Sequence, residues 1–321
     1  MRVSMADVAE RAGVSAQTVS RVANGSPRVD PATRARVERA MADLGYRVHR
    51  AARALRTGRS RTLGVVVSTL ASVGNSRMLE AVAELAADSD YALAVAIARG
   101  ESGLADAFGR LRDQAVDGVI VLNEASSLTR GAPLPPGLPV VVVDAPADER
   151  FASVQTDHAG GAAAAVRHLL ERGVSTVHHL AGPADSFAAA ERERGWRAAL
   201  AAAGASAPEV VRGDWTSASG HAAGERLGAA AAVFAANDQM ALGLLRAFAD
   251  AGRAVPAEVG VVGFDDVVDS AQYRPPLTTV RQDFAELGRR AVAALVAVVE
   301  GAPAPAPEIV PAELVVRASS R

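Results

Sequence analysis

The stretch MADVAERAGVSAQTVSRVANG, residues 5–25, predicts two short helices joined by a tight turn. Ser4 stands at an N-cap position, and we expect a first helix over residues 4–12. A glycine follows that helix and can adopt the left-handed conformation that ends it. Ser15 then caps a second helix, expected over residues 16–23. This spacing is typical of a helix-turn-helix.

A third helix is predicted after a short loop. Asp30 is its N-cap, Pro31 fits its first turn and Gly45 stops it. Its apolar stripe consists of Val37, Met41 and Leu44. We therefore expect residues 1–45 to form one small all-α domain.

The charge of the chain is divided unequally along its length. Residues 1–61 hold 13 arginines against 5 acids, a net charge of +8, although the whole chain carries −2. The remaining residues hold 21 arginines against 31 acids, a net charge of −10. This asymmetry indicates that the N-terminal part binds a polyanion and that the rest does not.

The polar face of the second helix carries side chains suited to double-stranded DNA. Gln17 and Arg21 lie four residues apart and can read base edges, since glutamine pairs with adenine and arginine with guanine. Phosphate contacts are expected from Ser15, Thr18, Ser20, Asn24 and Arg28. A merely solvated helix face is the alternative, and the net charge of the domain favours DNA.

Composition limits the remaining classes of protein. There is no cysteine among the 321 residues, which excludes disulfides and thiolate metal sites. The first 15 residues are charged throughout and contain no apolar segment, so we expect neither a secretory signal nor a membrane span there. A cytoplasmic, nucleoid-associated protein is expected.

From residue 61 onwards, near-continuous apolar runs alternate with helical stretches. This pattern predicts an α/β core with parallel sheets covered on both faces, in two lobes. The first lobe is expected over about 61–156 and 284–311, and the second over about 157–283. A cleft is expected between two such lobes.

Polar residues that end the apolar runs are candidates for a ligand site, since ligands bind beyond the carboxyl ends of parallel strands. They are Asp144, Asp157, Asn237 and Asp265. A helix N-cap is an equally good interpretation of Asp157, Asn237 and Asp266. Arg192 can pair with vicinal oxygens, and Trp215 offers a flat apolar face to a sugar ring. Trp196 is interpreted as a packing residue in an amphipathic helix.

Residues 5–25 resemble the helix-turn-helix of the LacI/GalR family of transcriptional regulators. The core is similar as well, in HLAGP (179–183), AANDQMALG (235–243), VVGFDD (261–266) and PPLTTVRQDF (275–284). The resemblance covers essentially the whole chain. It implies a DNA-binding domain at 1–45, a hinge helix at 46–60 and a two-lobed core at 61–321 that resembles periplasmic binding proteins.

The resemblance also implies site residues. In the hinge, Leu55 would enter the minor groove of the operator, and Arg50 is one of three arginines beside it. Ligand contacts are implied at Asp144, Arg192, Trp215, Asn237, Asp265, Gln282 and Phe284. The first lobe departs from the family member that the core motifs resemble most, because Ser72, Gly74 and Asn75 replace a more apolar wall and Met78 is its one large apolar residue. Ala16 departs on the recognition helix, so base preference should differ there.

The expected function is therefore that of a homodimeric repressor, released from a near-palindromic operator by a small sugar such as a galactoside. A corepressor-type member is one alternative, and a periplasmic-type sugar-binding protein without DNA function is another. An enzyme is disfavoured, since Asp265 and Asp266 are sequence neighbours that usually point apart, and His178 and His179 lack metal-ligand spacing. No cofactor is expected.

Overall fold

A computed structural model describes residues 3–23, 26–46, 58–123, 125, 129, 134–146 and 148–320. The chain divides into two compact units, residues 1–61 and 62–321. Asn24, Arg50, Leu55 and most of the expected hinge lie outside the described residues.

The N-terminal unit contains three helices, α1 (Met5–Ala12), α2 (Ala16–Ala23) and α3 (Pro31–Asp43). The predicted caps are confirmed. The Ser4 side chain accepts a hydrogen bond from the Asp7 N–H, and Asp30 accepts one from Thr33 at 3.0 Å. The three helices share a small apolar core formed by Val8, Ala9, Val19, Val22, Val29, Val37 and Ala40.

The second unit has a six-stranded sheet in each of its two lobes. The strands of the first sheet are β1 (Thr62–Val67), β2 (Ala92–Ile97), β3 (Gly118–Val121), β4 (Val140–Val143), β5 (Ala152–Thr156) and β11 (Glu308–Val310). They have the order β11-β5-β4-β3-β1-β2 and are all parallel. The helices of this lobe are α4 (Val73–Asp88), α5 (Gly100–Asp113) and α10 (Phe284–Val299).

The strands of the second sheet are β6 (His178–Ala181), β7 (Val211–Arg212), β8 (Ala232–Ala235), β9 (Gly260–Asp265), β10 (Thr278–Arg281) and β12 (Glu313–Val315). They have the order β12-β10-β9-β8-β6-β7. The helices are α6 (His158–Leu170), α7 (Phe187–Ala202), α8 (Ser217–Ala222) and α9 (Asp238–Asp250), with 3₁₀ turns at Val268–Gln272 and Ala318–Ser320.

The predicted architecture of two α/β lobes is confirmed, with one difference in the second sheet. Strand β12 runs antiparallel to β10, whereas the apolar pattern had predicted parallel strands. The difference arises because the chain passes between the sheets three times, after β5, after β10 and between β11 and β12. The last passage returns residues 313–320 to the second lobe.

No helix among the described residues is long and apolar enough to cross a membrane.

Candidate functional site

The recognition face of the N-terminal unit is built by the alternation of buried and exposed positions on α2. Val19 and Val22 are buried against the other helices, and this orientation leaves Gln17 and Arg21 exposed. The Ser15 hydroxyl caps the helix by accepting from the Thr18 N–H at 3.1 Å. Because an N-terminal helix turn and two long polar side chains face solvent together, this surface has the form of a groove reader.

The remaining predicted DNA contacts surround this face. Ser15, Ala16 and Arg28 are exposed, and Thr18 and Ser20 are half-buried. The Ser15 and Thr18 hydroxyls lie 3.0 Å apart and bond to one another. They can therefore approach a phosphate as a pair.

A cavity of about 40 Å³ lies between the two lobes of the second unit. Nine of the ten predicted ligand-binding residues line it. They are Ser72, Asn75, Asp144, Arg192, Trp215, Asn237, Asp265, Gln282 and Phe284. They meet because the carboxyl ends of the parallel strands in both sheets face this cleft.

Met78 is the predicted residue that does not line the cavity. It has no exposed surface and packs in the apolar core of the first lobe with Val82 and Leu63. Met78 lies nearly one turn further along α4 than Asn75, and the same helical stripe that starts at the cavity continues into the core.

Arg192 is the central cation of the cavity. It is 4% exposed, and its Nη1 donates to the Ala236 carbonyl. Its guanidinium carbon lies 3.9 Å from the centroid of the Phe264 ring, and its Nη2 lies 3.6 Å from Asp265 Oδ1. A guanidinium stacked and paired in this way has a fixed direction at the wall of the cavity, where a ligand can contact it.

Asp144 follows β4 and is held by Thr156 and His158. It accepts from the Thr156 N–H at 3.0 Å, and His158 Nε2 lies 3.0 Å from its Oδ1. Burial by itself would raise the pKa of Asp144, but His158, the Thr156 N–H and the charge of Arg192 outweigh it and lower that pKa below its ordinary value. Asp144 is therefore a buried, ionised acceptor.

Gln282 connects the lobes across the floor of the cavity. Its Nε2 donates to Asp265 Oδ1 at 2.6 Å, and its Oε1 accepts from the Thr156 hydroxyl at 2.8 Å. The side chains of Gln282, Thr156 and Asp265 are all buried. Since Thr156 ends β5 of the first sheet and Asp265 ends β9 of the second, one amide bridges the ends of strands from both lobes.

Four lining residues have positive φ angles, although none is glycine. These are Asn123 (46°), Asp144 (53°), Trp215 (73°) and Asp265 (113°). Such conformations cost about 1–3 kcal/mol each and persist where the surroundings impose them. Their concentration around one cavity is typical of a functional site.

Trp215 lies on the backbone of Gly182, where a Cβ would come within 2.2 Å of the indole. Asn237 secures the tryptophan, since its Nδ2 donates to the Trp215 carbonyl at 3.0 Å. The Asn237 Oδ1 accepts from the Met240 N–H at 2.9 Å, so this residue both caps α9 and lines the cavity.

The other strand-end acids lie away from the cavity lining. Asp157 caps α6 by accepting from the Gly160 N–H at 2.8 Å. Asp266 pairs with Arg281 and Arg317, both at 2.7 Å. The interpretation of Trp196 as a packing residue is confirmed, because it is fully buried and bonds to the Val177 carbonyl.

The sequence interpretation missed three residues of the site. Asn123 and Ala188 line the cavity, and His158 bridges Asp144 and Arg192 from the start of α6, with Arg192 Nε 3.3 Å from its Nδ1. Asn123 follows β3 closely, so the strand-end rule that selected Asp144 could have found it. No group of three or more metal-ligating side chains occurs within the part of the chain that the structure describes.

A recognition face in one unit and a polar interlobe cavity in the other define a ligand-responsive DNA-binding protein. Residues 4–48 match the family described as bacterial regulatory proteins, lacI family, and residues 166–320 match a periplasmic binding protein-like domain. The chain belongs to the lacI family of bacterial regulators.

Full-length relatives agree with this assignment. The chain is 40% identical to the HTH-type transcriptional regulator CelR of Thermobifida fusca, over 92% of this chain and 91% of CelR. It is 34% identical to the lactose operon repressor of Escherichia coli K12, over 98% of this chain and 90% of the repressor. The core motifs had suggested the lactose repressor as the member most resembled, and the identity to CelR is higher.

Solved structures show the same architecture. The Lac repressor dimer bound to operator and the anti-inducer ONPF superposes with a TM-score of 0.88 at 33% identity, covering 100% of this chain and 99% of that one. The complex of the transcriptional regulator CelR with cellobiose gives a TM-score of 0.75 at 34% identity, covering 99% and 100%.

Proposed function

We propose that this chain represses transcription by binding an operator and that a small neutral sugar releases it. The observation that carries the proposal is the buried, polar and strained cavity between the lobes of a chain that also presents a recognition helix. A ligand that favours one arrangement of the lobes can change operator affinity through that preference alone. Such a repressor works on chromosomal DNA, in the cytoplasm.

The chemistry of the cavity supports a sugar. Asp144, Asp265 and the amides of Asn123 and Gln282 suit hydroxyl groups, and Trp215 suits the apolar face of a ring. The indole N–H of Trp215 is buried without an acceptor among the described residues, as expected of a donor that a ligand completes. One cation among two carboxylates favours a neutral ligand over a phosphorylated one.

The identity of the sugar is narrowed by the relatives and by the wall of the first lobe. One relative is named for lactose, and the CelR structure contains cellobiose. Ser72, Asn75 and Asn123 make this wall polar, so we propose a galactoside or a related sugar with hydroxyl groups facing both lobes. Alkyl glycosides should bind less tightly.

Operator selection followed by a release assay tests this function. Random duplexes enriched on the purified protein are expected to yield a near-palindromic site, and lactose or cellobiose is expected to weaken its binding. Tighter binding with the sugar would indicate a corepressor. Sugar binding without any duplex preference would indicate a sugar-binding protein without DNA function, and would contradict the proposal.

Replacing Arg21 by alanine sharpens this test. Loss of one bidentate base contact costs about 1–3 kcal/mol, so preference for the selected operator over a scrambled duplex should fall roughly tenfold to a hundredfold. Arg39→Ala is the matched control, because Arg39 is also exposed but lies on α3. Equal losses in both variants would mean that Arg21 supplies charge and no readout.

We also propose that the repressor is a homodimer joined in part through strand β2. This strand is the edge of the first sheet, and it exposes Val95 by 44% and Ile97 by 42%. An exposed apolar edge strand is a surface that proteins normally cover. A second copy of the chain would cover it and would supply the second recognition helix of a palindromic operator.

Changing both Val95 and Ile97 to aspartate is expected to convert the dimer to monomer, as measured by sedimentation velocity at micromolar concentration. Operator binding should then weaken at least tenfold, since each head reads only a half-site. Ile309→Asp is the control, because Ile309 is 55% exposed on the opposite edge strand of the same sheet. A dimer that survives the double change would contradict this interface.

A further inference from the structure

The turn that follows β9 is held in an unfavourable conformation. Asp265 and Asp266 have φ angles of 113° and 52°, and two such residues in succession require support from their surroundings. Asp265 lines the cavity, whereas the carboxylate of Asp266 is turned to two arginines. The next N–H, of Val267, donates to the buried Asp238 at 3.0 Å.

One of these two arginines comes from the end of the chain. Arg317 Nη2 lies 2.7 Å from Asp266 Oδ1, and Arg317 Nη1 donates to the Leu277 carbonyl at 2.8 Å. The side chain of Arg317 is 19% exposed, while that of Arg281, on the other carboxylate oxygen, is 50% exposed. The Arg317 pair is less exposed and therefore less screened by solvent, whereas the Arg281 pair is also a hydrogen bond, from Nε to Asp266 Oδ2.

Residues 316–320, here called the C-terminal clasp, are hydrogen-bonded to the second lobe at several positions. The Arg317 N–H donates to Thr278 Oγ1 at 2.8 Å, and Ser319 Oγ donates to the Val261 carbonyl at 2.7 Å. Ser320 Oγ donates to Thr278 Oγ1 at 2.7 Å and lies 2.8 Å from His168 Nε2. Both serines are buried, so the clasp is part of the lobe. The backbone from which the Arg317 side chain extends is therefore held in place.

We propose that the C-terminal clasp is a positioning element of the effector site. Through Arg317 it fixes the carboxylate of Asp266, and this holds the strained turn in the conformation that directs Asp265 into the cavity. Arg317 touches no ligand and acts through Asp266. The proposal rests on the proposed function in one respect, which is that Asp265 binds the sugar.

The test compares Arg317→Met with Arg281→Met, since both remove one partner of the same carboxylate. Binding of lactose and cellobiose is measured by calorimetry. For the sugar that binds the wild-type protein, Arg317→Met should raise Kd about tenfold or more, and Arg281→Met should raise it less than about fivefold. Arg317→Lys retains the charge and should recover part of the affinity. Equal Kd values for wild type and Arg317→Met would overturn the proposal.

Hydrogen–deuterium exchange provides a readout that needs no ligand. Without sugar, the Val267 amide and its neighbours should exchange faster in Arg317→Met than in Arg281→Met, while strands β6 and β8 remain protected in both. Faster exchange throughout the second lobe would mean that Arg317 only stabilises the fold, and would overturn the proposal. Should the wild-type protein bind neither sugar, the proposed ligand class would fail, and the exchange data would still decide the role of the clasp.

Discussion

Replacing Arg192 by methionine is expected to leave operator binding intact and to abolish release by sugar. The guanidinium is buried between the Phe264 ring and Asp265, and it lines the cavity. A hydrogen bond to a charged group contributes about 1.5–3 kcal/mol, and Arg192 can offer more than one to vicinal hydroxyls. Sugar affinity should therefore fall a hundredfold or more, as measured by calorimetry.

A second variant and a control distinguish loss of the sugar site from loss of folded protein. Removing one partner of a buried pair destabilises by about 3–5 kcal/mol, so Arg192→Met can also lower the folded fraction. Asp265→Asn is the second variant, since it keeps the shape of the side chain and should also lose the sugar response, and the folded fraction of both variants is measured by circular dichroism. Arg194→Met is the matched control, since Arg194 lies on the same helix in an exposed pair with Glu191. Sugar-dependent release that persists in both pocket variants would refute the assignment of this site.

The N-terminal unit could be predicted almost residue by residue, because its boundaries depend on near neighbours. Ser4 and Asp30 each bond to a backbone N–H three residues further along the chain. Gly13 has the expected left-handed conformation, with a φ of 64°. Interactions of this range are present in the sequence itself, so propensity and capping rules suffice.

The cavity could be predicted to the extent that strand ends determine it. Asp144 and Asp265 were found because each ends a continuous apolar run, and parallel strands bring such ends to one edge. Met78 was misplaced for a different reason. The buried stripe of α4 runs from Asn75 at the cavity to Met78 and Val82 in the core, and its periodicity contains no mark where the cavity ends.

Interactions between distant segments could not be predicted where no strand end marks them. His158 bonds with residues 14 and 34 positions away, and the return of β12 pairs Leu314 with Val280 of β10. Nothing local in a three-residue strand specifies its sheet or direction. The contacts of the C-terminal clasp could not be predicted either, because its serines and arginine have the composition of an ordinary exposed tail.

The dependence of stability on pH should reveal two buried groups with opposite effects. Burial lowers the pKa of His179 to about 4, against the opposing effects of the Phe234 carbonyl and the charge of Glu193, and the charges of Arg212 and Arg192 lower it further. Burial and the charge of Asp265 raise the pKa of Asp238 to about 7, despite hydrogen bonds from Ser270 and Thr279. Both groups are fully buried, so both shifts contribute to the free energy of unfolding.

The sign of each contribution to the pH dependence of stability follows from whether the folded or the unfolded state binds the proton more tightly. The folded form of His179 resists protonation, so its contribution is present above the ordinary histidine pKa and is lost as pH falls from about 6.5 to 4, by about 3 kcal/mol. Asp238 behaves oppositely, because its folded form holds a proton more tightly. Its contribution is complete below pH 3.8 and is lost as pH rises through about 7, by about 4 kcal/mol.

The two effects oppose each other between about pH 4 and 6.5, and single substitutions separate them. With Asp238→Asn, the free energy of unfolding from urea titrations should fall steeply on acidification, because His179 titrates without compensation. With His179→Asn, it should rise on acidification, because Asp238 gains its proton. The slope of the free energy of unfolding against pH distinguishes titration from lost packing, since lost packing lowers that free energy by the same amount at every pH. Parallel profiles in the two variants would show that neither group carries the predicted pH dependence.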